Sequence, residues 1–142
     1  MNSRLDNLQA AILDFQLKQL TASIERRREI AARYEGHLAD IEQLVLPPGP
    51  ESDTDHFDVF QNYELEADRR DALREHLRGN GVGTIIQWGG RAVHQFPALG
   101  LHASLPATER LFQRCLMLPM NLTLTDDDVD RVASLVRAFY GC

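Results

Sequence analysis

Lysine is nearly missing from this chain. Of its 15 basic residues one is lysine, Lys18, and the rest are arginine. Chemistry that joins an amine side chain covalently to a carbonyl group therefore has a single candidate in 142 residues. Cysteine is almost as sparse. Cys115 and Cys142 make no disulfide framework, so a reducing cytoplasm is the expected compartment. No apolar run approaches the roughly 18 residues that a membrane span needs, and no signal-peptide layout is visible. An excess of positive charge is also lacking: the net charge is -6 and the pI about 5.3, which argues against nucleic acid or an anionic membrane as partner. Metal-ligand spacing is absent too. His94 and His102 match no tight pattern and no cysteine pair supports them, so no metal is expected.

What is present is average in bulk, with 44% hydrophobic and 25% charged residues, as in one globular domain with a core. The arrangement is less ordinary. From about Ser3 to Asp40 the pattern is helical. Leu5, Leu8, Ile12 and Phe15 form one apolar row, and Leu13, Leu17, Leu20 and Ile24 form a second. Two rows are more than a single surface helix needs. An unbroken helix of this length would run about 57 Å, beyond the roughly 35–40 Å diameter of a compact domain this size. A kink near Gly36 or a hairpin around Glu25–Glu29 are the alternatives. The overhanging face Leu5, Leu8, Ile12, Phe15 is expected to be exposed or to pack on something outside the domain. Arg26-Arg27-Arg28, offset by Glu25 and Glu29, reads as a solvated helix face.

Beyond this helix, Gln43 to Leu46 reads as a short strand stopped by Pro47-Pro48-Gly49-Pro50, and His56 to Leu65 as an aromatic-rich strand. Asp68 is placed to cap a helix over Arg69 to Arg78, closed by Gly79-Asn80-Gly81. Val82 to Trp88 reads as a further strand, followed by a loop from Gly89 to Ala103. Pro106 fits the first turn of a helix to about Arg114, and Cys115 to Pro119 a buried strand with a structural thiol. Thr125 with Asp128 forms a capping-box-like start for the last helix. The fold class is α+β: a long N-terminal helix over residues 1–40, then a small, mainly antiparallel sheet of three or four strands covered by helices over 41–142.

Order and wording together resemble the C-terminal part of the DegT-type family, fold-type I aminotransferases that use pyridoxal phosphate to aminate nucleotide-linked keto sugars. NSRLDNLQAAIL is similar to the family's helix start, RDALREHLRGNGVGT to the helix and turn before the substrate-side strand, and LPMNLTLTDDDVDRVASLVRAF to the closing helix. The resemblance covers the whole chain but no part of the family's larger N-terminal domain, where the lysine that carries the cofactor lies. It implies that Lys18 is not that lysine, that no catalytic residue of the family falls in this chain, and that no cofactor is bound covalently by it. It also implies a homodimer, or a complex with an N-terminal aminotransferase domain, using an amino-acid donor and a nucleotide sugar.

The resemblance implies site residues as well. Asn2 and Arg4 match an Asn and an Arg that reach the partner subunit's cofactor phosphate region. Gln87, Trp88, Arg91 and His94 fall on a loop that lies near the sugar in the family. Here Gln87 stands where a histidine is usual, Trp88 replaces another aromatic, and Gly89-Gly90 replaces proline. Trp88 would stack on a sugar or base and Arg91 would meet a diphosphate. From the residues alone, the other reading of this loop is a turn with an anchoring tryptophan and a surface histidine. The competing functions for the chain are a non-catalytic interaction module that uses the exposed helix, or a small sugar-binding module that uses Trp88 and His94.

Overall fold

A computed structural model describes residues 6–53, 55–101 and 103–142. The N-terminal pattern forms two helices, α1 (Asn7–Leu17) and α2 (Leu20–Leu38). They are separated at Lys18 and Gln19, where neither proline nor glycine marks a break. The Gln19 N–H donates to the Gln16 carbonyl, a tightened i→i−3 turn, and the Ser23 hydroxyl donates back to the Gln19 carbonyl. Such back-bonding bends helices. Both junction residues stay in the right-handed region, so the chain kinks there and does not double back. The single helix expected from the pattern is thus interrupted, and at neither anticipated place: α2 runs straight through Glu25–Glu29 and Gly36.

α2 buries Ile30, Ala31, Tyr34 and Leu38. The chain continues through β1 (Leu44–Val45), β2 (Tyr63–Ala67), α3 (Arg70–Gly79), α4 (Pro106–Arg114), β3 (Cys115–Leu118) and α5 (Asp126–Tyr140). The three strands form one antiparallel sheet in the order β1-β2-β3, with Tyr63 opposite Leu118 and Leu65 opposite Leu116. Alternation puts Tyr63, Leu65, Ala67, Leu116 and Leu118 on one face. There they share a core with α2, Leu73 and Leu77 of α3, and Val129, Val132, Ala133 and Val136 of α5. Cys115 and Met117 point to the other face and are also buried. Something must cover them, and that cover is the segment that carries the candidate site.

Two expected strands shrink. The segment before Tyr63 is irregular: the Phe60 N–H donates to the Asp58 carboxylate (2.7 Å) in a tight turn, Phe60 takes a positive φ of 48°, and the Asp58 carbonyl accepts from the Arg28 guanidinium (2.9 Å). The Val82–Trp88 strand is reduced to one bridge, Ile85 to Met117. Nor does Asp68 cap α3. Arg69 does so with a left-handed backbone, while the Asp68 carboxylate accepts from Arg114. The α5 cap is as expected, with Thr125 and Asp128 bonding reciprocally.

Charge joins α2 to α5. Arg33 donates twice to Asp130 (2.5 and 2.6 Å) and His37 adds a contact at 2.9 Å. Arg26 reaches Asp126 and the Leu124 carbonyl, and Arg137 pairs with Asp40. The arginine run is therefore not the solvated face the sequence suggests. The Arg26, Arg27 and Arg28 guanidiniums each bond to a distant segment.

α1 contrasts with this. None of its residues is buried. Leu8, Ile12 and Phe15 are 71%, 50% and 62% exposed, and Leu13 and Leu17 on the second row are also open. The exposed row expected from the sequence is present at these positions; Leu5 lies outside the described residues.

Candidate functional site

Between the Ile85 bridge and α4 the backbone turns sharply at Gln87–Gly90. Three consecutive residues there, Trp88, Gly89 and Gly90, have φ of 51°, 66° and 75°. Glycine tolerates this region, whereas for tryptophan the left-handed conformation costs about 1–2 kcal/mol. Trp88 is nonetheless 73% exposed, so its side chain gains little burial to offset that strain. Strain of this kind concentrates where a side chain must be presented.

The turn stands on a built floor. The φ of 75° favours glycine at Gly90, where a Cβ would also sit tightly, 3.3 Å from the Phe112 carbonyl oxygen, and in ordinary contact with Arg70 Nη2 at 3.5 Å. Arg70 is 9% exposed, at the start of α3. Its guanidinium donates to Asp71 (2.7 Å), to the Cys115 carbonyl (2.9 Å) and to the Phe112 carbonyl (3.3 Å). It thereby ties the end of α4 to the start of β3 directly under the turn. A buried cation satisfied by carbonyls is expensive to disturb.

Beyond the turn, short 3-10 turns at Val93–Gln95 and Pro97–Leu99 curl the chain back towards α4. They border an open cavity of about 880 Å³ whose lining includes Trp88, Arg91, His94, Phe96, Leu105 and Phe112. The wall is almost wholly apolar, with Arg91 as its cation. His94 is nearly buried, at 7% side-chain exposure, and its Nε2 lies 3.0 Å from Glu109. Glu109 also accepts the Leu105 N–H at 3.1 Å. That backbone bond, and then the histidine, hold the Glu109 carboxyl below its usual range. The structure thus brings three of the four sugar-side candidates, Trp88, Arg91 and His94, to one cavity. Gln87 sits in the turn but does not line it.

Asn2 and Arg4, expected at a cofactor phosphate, lie outside the described residues, as does His102. Lys18 sits at the end of α1, 68% exposed, with its amine 2.9 Å from Asp14. That amine is solvated and already paired, and it lines none of the described cavities, so the described residues do not fit a covalent pyridoxal phosphate site. Cys115 is buried and its thiol is pushed up by that burial, which does not suit a nucleophile. A second cleft, about 650 Å³, lies between α2 and Pro50–Phe57, where Arg28 is spent on the loop carbonyls. Among the described residues no group of three or more His, Cys, Asp or Glu gathers as for a metal, and no helix is long and apolar enough to cross a membrane.

Sequence reasoning missed Arg70 and Glu109. Glu109 had a signal, an acid in the first turn of a helix opened by proline, where it can accept a backbone N–H. Arg70 had none, because nothing local tells a buried arginine from the exposed ones around it.

The chain is similar to known proteins along nearly its whole length. The model of the DegT/DnrJ/EryC1/StrS aminotransferase family matches residues 1–137. The chain is 32% identical to a UDP-N-acetyl-3-dehydro-alpha-D-glucosamine 3-aminotransferase of Acidithiobacillus ferrooxidans, a match covering 96% of this chain and 36% of that protein. It is 38% identical to a dTDP-3-amino-3,4,6-trideoxy-alpha-D-glucose transaminase of Micromonospora megalomicea subsp. nigra, covering 96% and 37%. Among solved structures, DesV of S. venezuelae, crystallised with a ketimine intermediate, superposes with a TM-score of 0.90 at 33% identity, covering 100% of this chain and 38% of that one. The chain spans little more than a third of the length of the relatives it matches.

Proposed function

Since this chain belongs to the DegT/DnrJ/EryC1/StrS aminotransferase family, we propose that it is the C-terminal small domain of a pyridoxal-phosphate-dependent aminotransferase acting on nucleotide-linked keto sugars. The complete enzyme moves an amino group from an amino-acid donor, glutamate, to the sugar ketone. Residues 1–40 serve as the interdomain and dimer segment and 41–142 as the domain that closes over substrate. Asn2 and Arg4 reach the partner subunit's cofactor phosphate. Gln87, Trp88, Arg91 and His94 form the sugar-nucleotide side, with Trp88 stacking on the base or sugar and Arg91 meeting the diphosphate. The working assembly is a homodimer, or a complex with an N-terminal aminotransferase domain, in the cytoplasm.

The observation that carries this reading is the family match along nearly the whole chain, joined to its span of little more than a third of each relative. It accounts for α1: a helix with two apolar rows and no buried residue is stable where other surfaces cover it. It also accounts for the single lysine. With Lys18 solvated and paired to Asp14, the chain by itself has no amine placed for the cofactor, and it should not transaminate alone.

The test is to mix the pure chain with pyridoxal phosphate, glutamate and a dTDP-linked 3-keto sugar. No amino sugar should form until a family N-terminal domain is supplied. Transamination by the chain alone would overturn the proposal. The second reading, an interaction or sugar-binding module derived from this domain, is favoured by the exposed α1 and the Trp88 cavity. It predicts binding of nucleotide sugar with no activity in any mixture.

A further inference from the structure

The stretch from Arg91 to Leu101 is weakly tied to the rest of the fold. Of its residues Ala92 is buried, while Val93, Leu99 and Leu101 are about half exposed or more. Its backbone hydrogen bonds are local, such as Gln95 to Ala92, Phe96 to Val93 and Gly100 to Pro97. Among the described residues, the hydrogen bond that joins this stretch to another element is His94 Nε2 to Glu109, 15 residues away on α4. The histidine is nearly buried, and Glu109 is itself pinned by the Leu105 N–H at the helix start. Six residues before His94 stands Trp88, in a left-handed conformation it would leave if its surroundings loosened.

We propose that His94 is a positioning residue: its contact with Glu109 is a clasp that holds the wall of the cavity against α4 and so sets where the strained Trp88 stands. The imidazole Nε2 is then committed to the carboxylate and not to ligand. The consequence for ligand recognition rests on the reading that Trp88 faces a nucleotide sugar; the clasp itself does not. Glu109 belongs to the same unit, although its carboxylate is a third exposed and, seen alone, resembles any surface acid. Arg70 and Gly90 fix the near end of the segment and the clasp fixes its far end. A turn held at both ends can keep an unfavourable φ that either anchor alone would let relax.

Trp88 is the sole tryptophan, so its fluorescence reports this place and no other. The experiment measures time-resolved anisotropy of the chain as it stands, in the wild type and in His94→Ala, Glu109→Ala, the double variant that combines these two, and His94→Gln. It then titrates each with dTDP-glucose and with UDP-N-acetylglucosamine, following Trp88 emission. The clasp predicts that the amplitude of subnanosecond depolarisation at least doubles in His94→Ala and in Glu109→Ala. The double variant should be no more mobile than either single one, because the two residues act as a pair. His94→Gln, whose amide can still donate to Glu109, should stay near wild type. Sugar-nucleotide binding should weaken at least fivefold in the two loosened variants. Unchanged Trp88 mobility in either His94→Ala or Glu109→Ala overturns the clasp. So does weakened binding in His94→Ala without a change in mobility, since His94 would then touch ligand directly. Should His94→Ala not fold, judged by circular dichroism, the Glu109→Ala and His94→Gln pair decides by the same criterion. If the variants loosen as predicted but the wild type binds neither nucleotide sugar, the clasp is retained and the reading of Trp88 as a substrate residue is removed.

Discussion

On one side of the sheet, α2 and α5 bury Ile30, Tyr34, Val129 and Val136 completely and close the seam with Arg33–Asp130 and Arg137–Asp40. On the other side, Gln87–Leu105 leaves Trp88, Val93, Leu99 and Leu101 between 48% and 73% exposed. Both regions are rich in apolar side chains, yet only the first uses them to fold. Burial at about 25 cal/mol per Å² goes almost wholly to the α2–α5–sheet unit. The outer segment is held instead by a few specific polar ties, Arg70 beneath Gly90 and Glu109 beside His94. Its apolar atoms remain available to something that arrives. α1 follows the same rule as the outer segment.

The sharpest way to break this contrast is to truncate both kinds of apolar residue. Leu116→Ala, in the shared core, should cost about 2–5 kcal/mol in chemical denaturation. Leu8→Ser with Ile12→Ser on α1 should change stability by no more than about 0.5 kcal/mol and improve solubility. A loss on α1 comparable to Leu116→Ala would mean that α1 belongs to the folding core of this chain. Next in size is the floor of the turn. Arg70→Met keeps most of the bulk but strips donors from the Phe112 and Cys115 carbonyls, and should cost about 1–3 kcal/mol. Its melting temperature should fall clearly below that of Arg74→Met, an exposed neighbour on α3.

Trp88→Gly probes strain on the exposed side. Relief of the left-handed backbone, set against glycine's own entropy, should leave the variant as stable as wild type or up to about 1 kcal/mol more stable. Binding of dTDP-glucose, followed by calorimetry, should nonetheless be lost. A clear destabilisation would mean that Trp88 is a packing residue. The smallest effect at neutral pH is expected at the α2–α5 seam. The Asp130 carboxyl is pulled down to about 2, chiefly by the hydrogen bonds from Arg33, with His37 adding to the effect. A carboxylate lowered on folding stabilises the native state fully above its ordinary value of 3.8, and that contribution is lost as pH falls towards 2. Asp130→Asn should therefore melt slightly below wild type at pH 6, and the gap should close between pH 3.8 and about 2. A gap that persists at the acid end would place its cause outside this ion pair.

Much of the fold was readable in the residues. Thr125 with Asp128, Pro106, and the Gly79-Asn80-Gly81 stop act through neighbours a few positions away, so they can be read in a linear string. The misses share a cause. Where a strand was expected before Tyr63, the chain turns at Phe60 and the Asp58 carbonyl accepts from Arg28, some 30 residues earlier. Arg26-Arg27-Arg28 was misjudged because its partners are remote in sequence. Of the sugar-side candidates, Trp88, Arg91 and His94 were found by resemblance, and their shared cavity was visible only in the fold.

The sequence by itself determined the α+β order of elements, the family, and the limit set by a single lysine, because these follow from local periodicity, recurring strings and composition. The tertiary structure alone decided where Lys18 stands, that Arg70 is buried beneath a glycine, that Trp88 is held against its backbone preference, and that His94 meets Glu109. The Arg70 and His94 contacts join residues far apart in the chain, and the surroundings of Lys18 and Trp88 are set by how the rest of the chain folds. Their energies depend on burial and geometry, which no residue carries before the chain has folded.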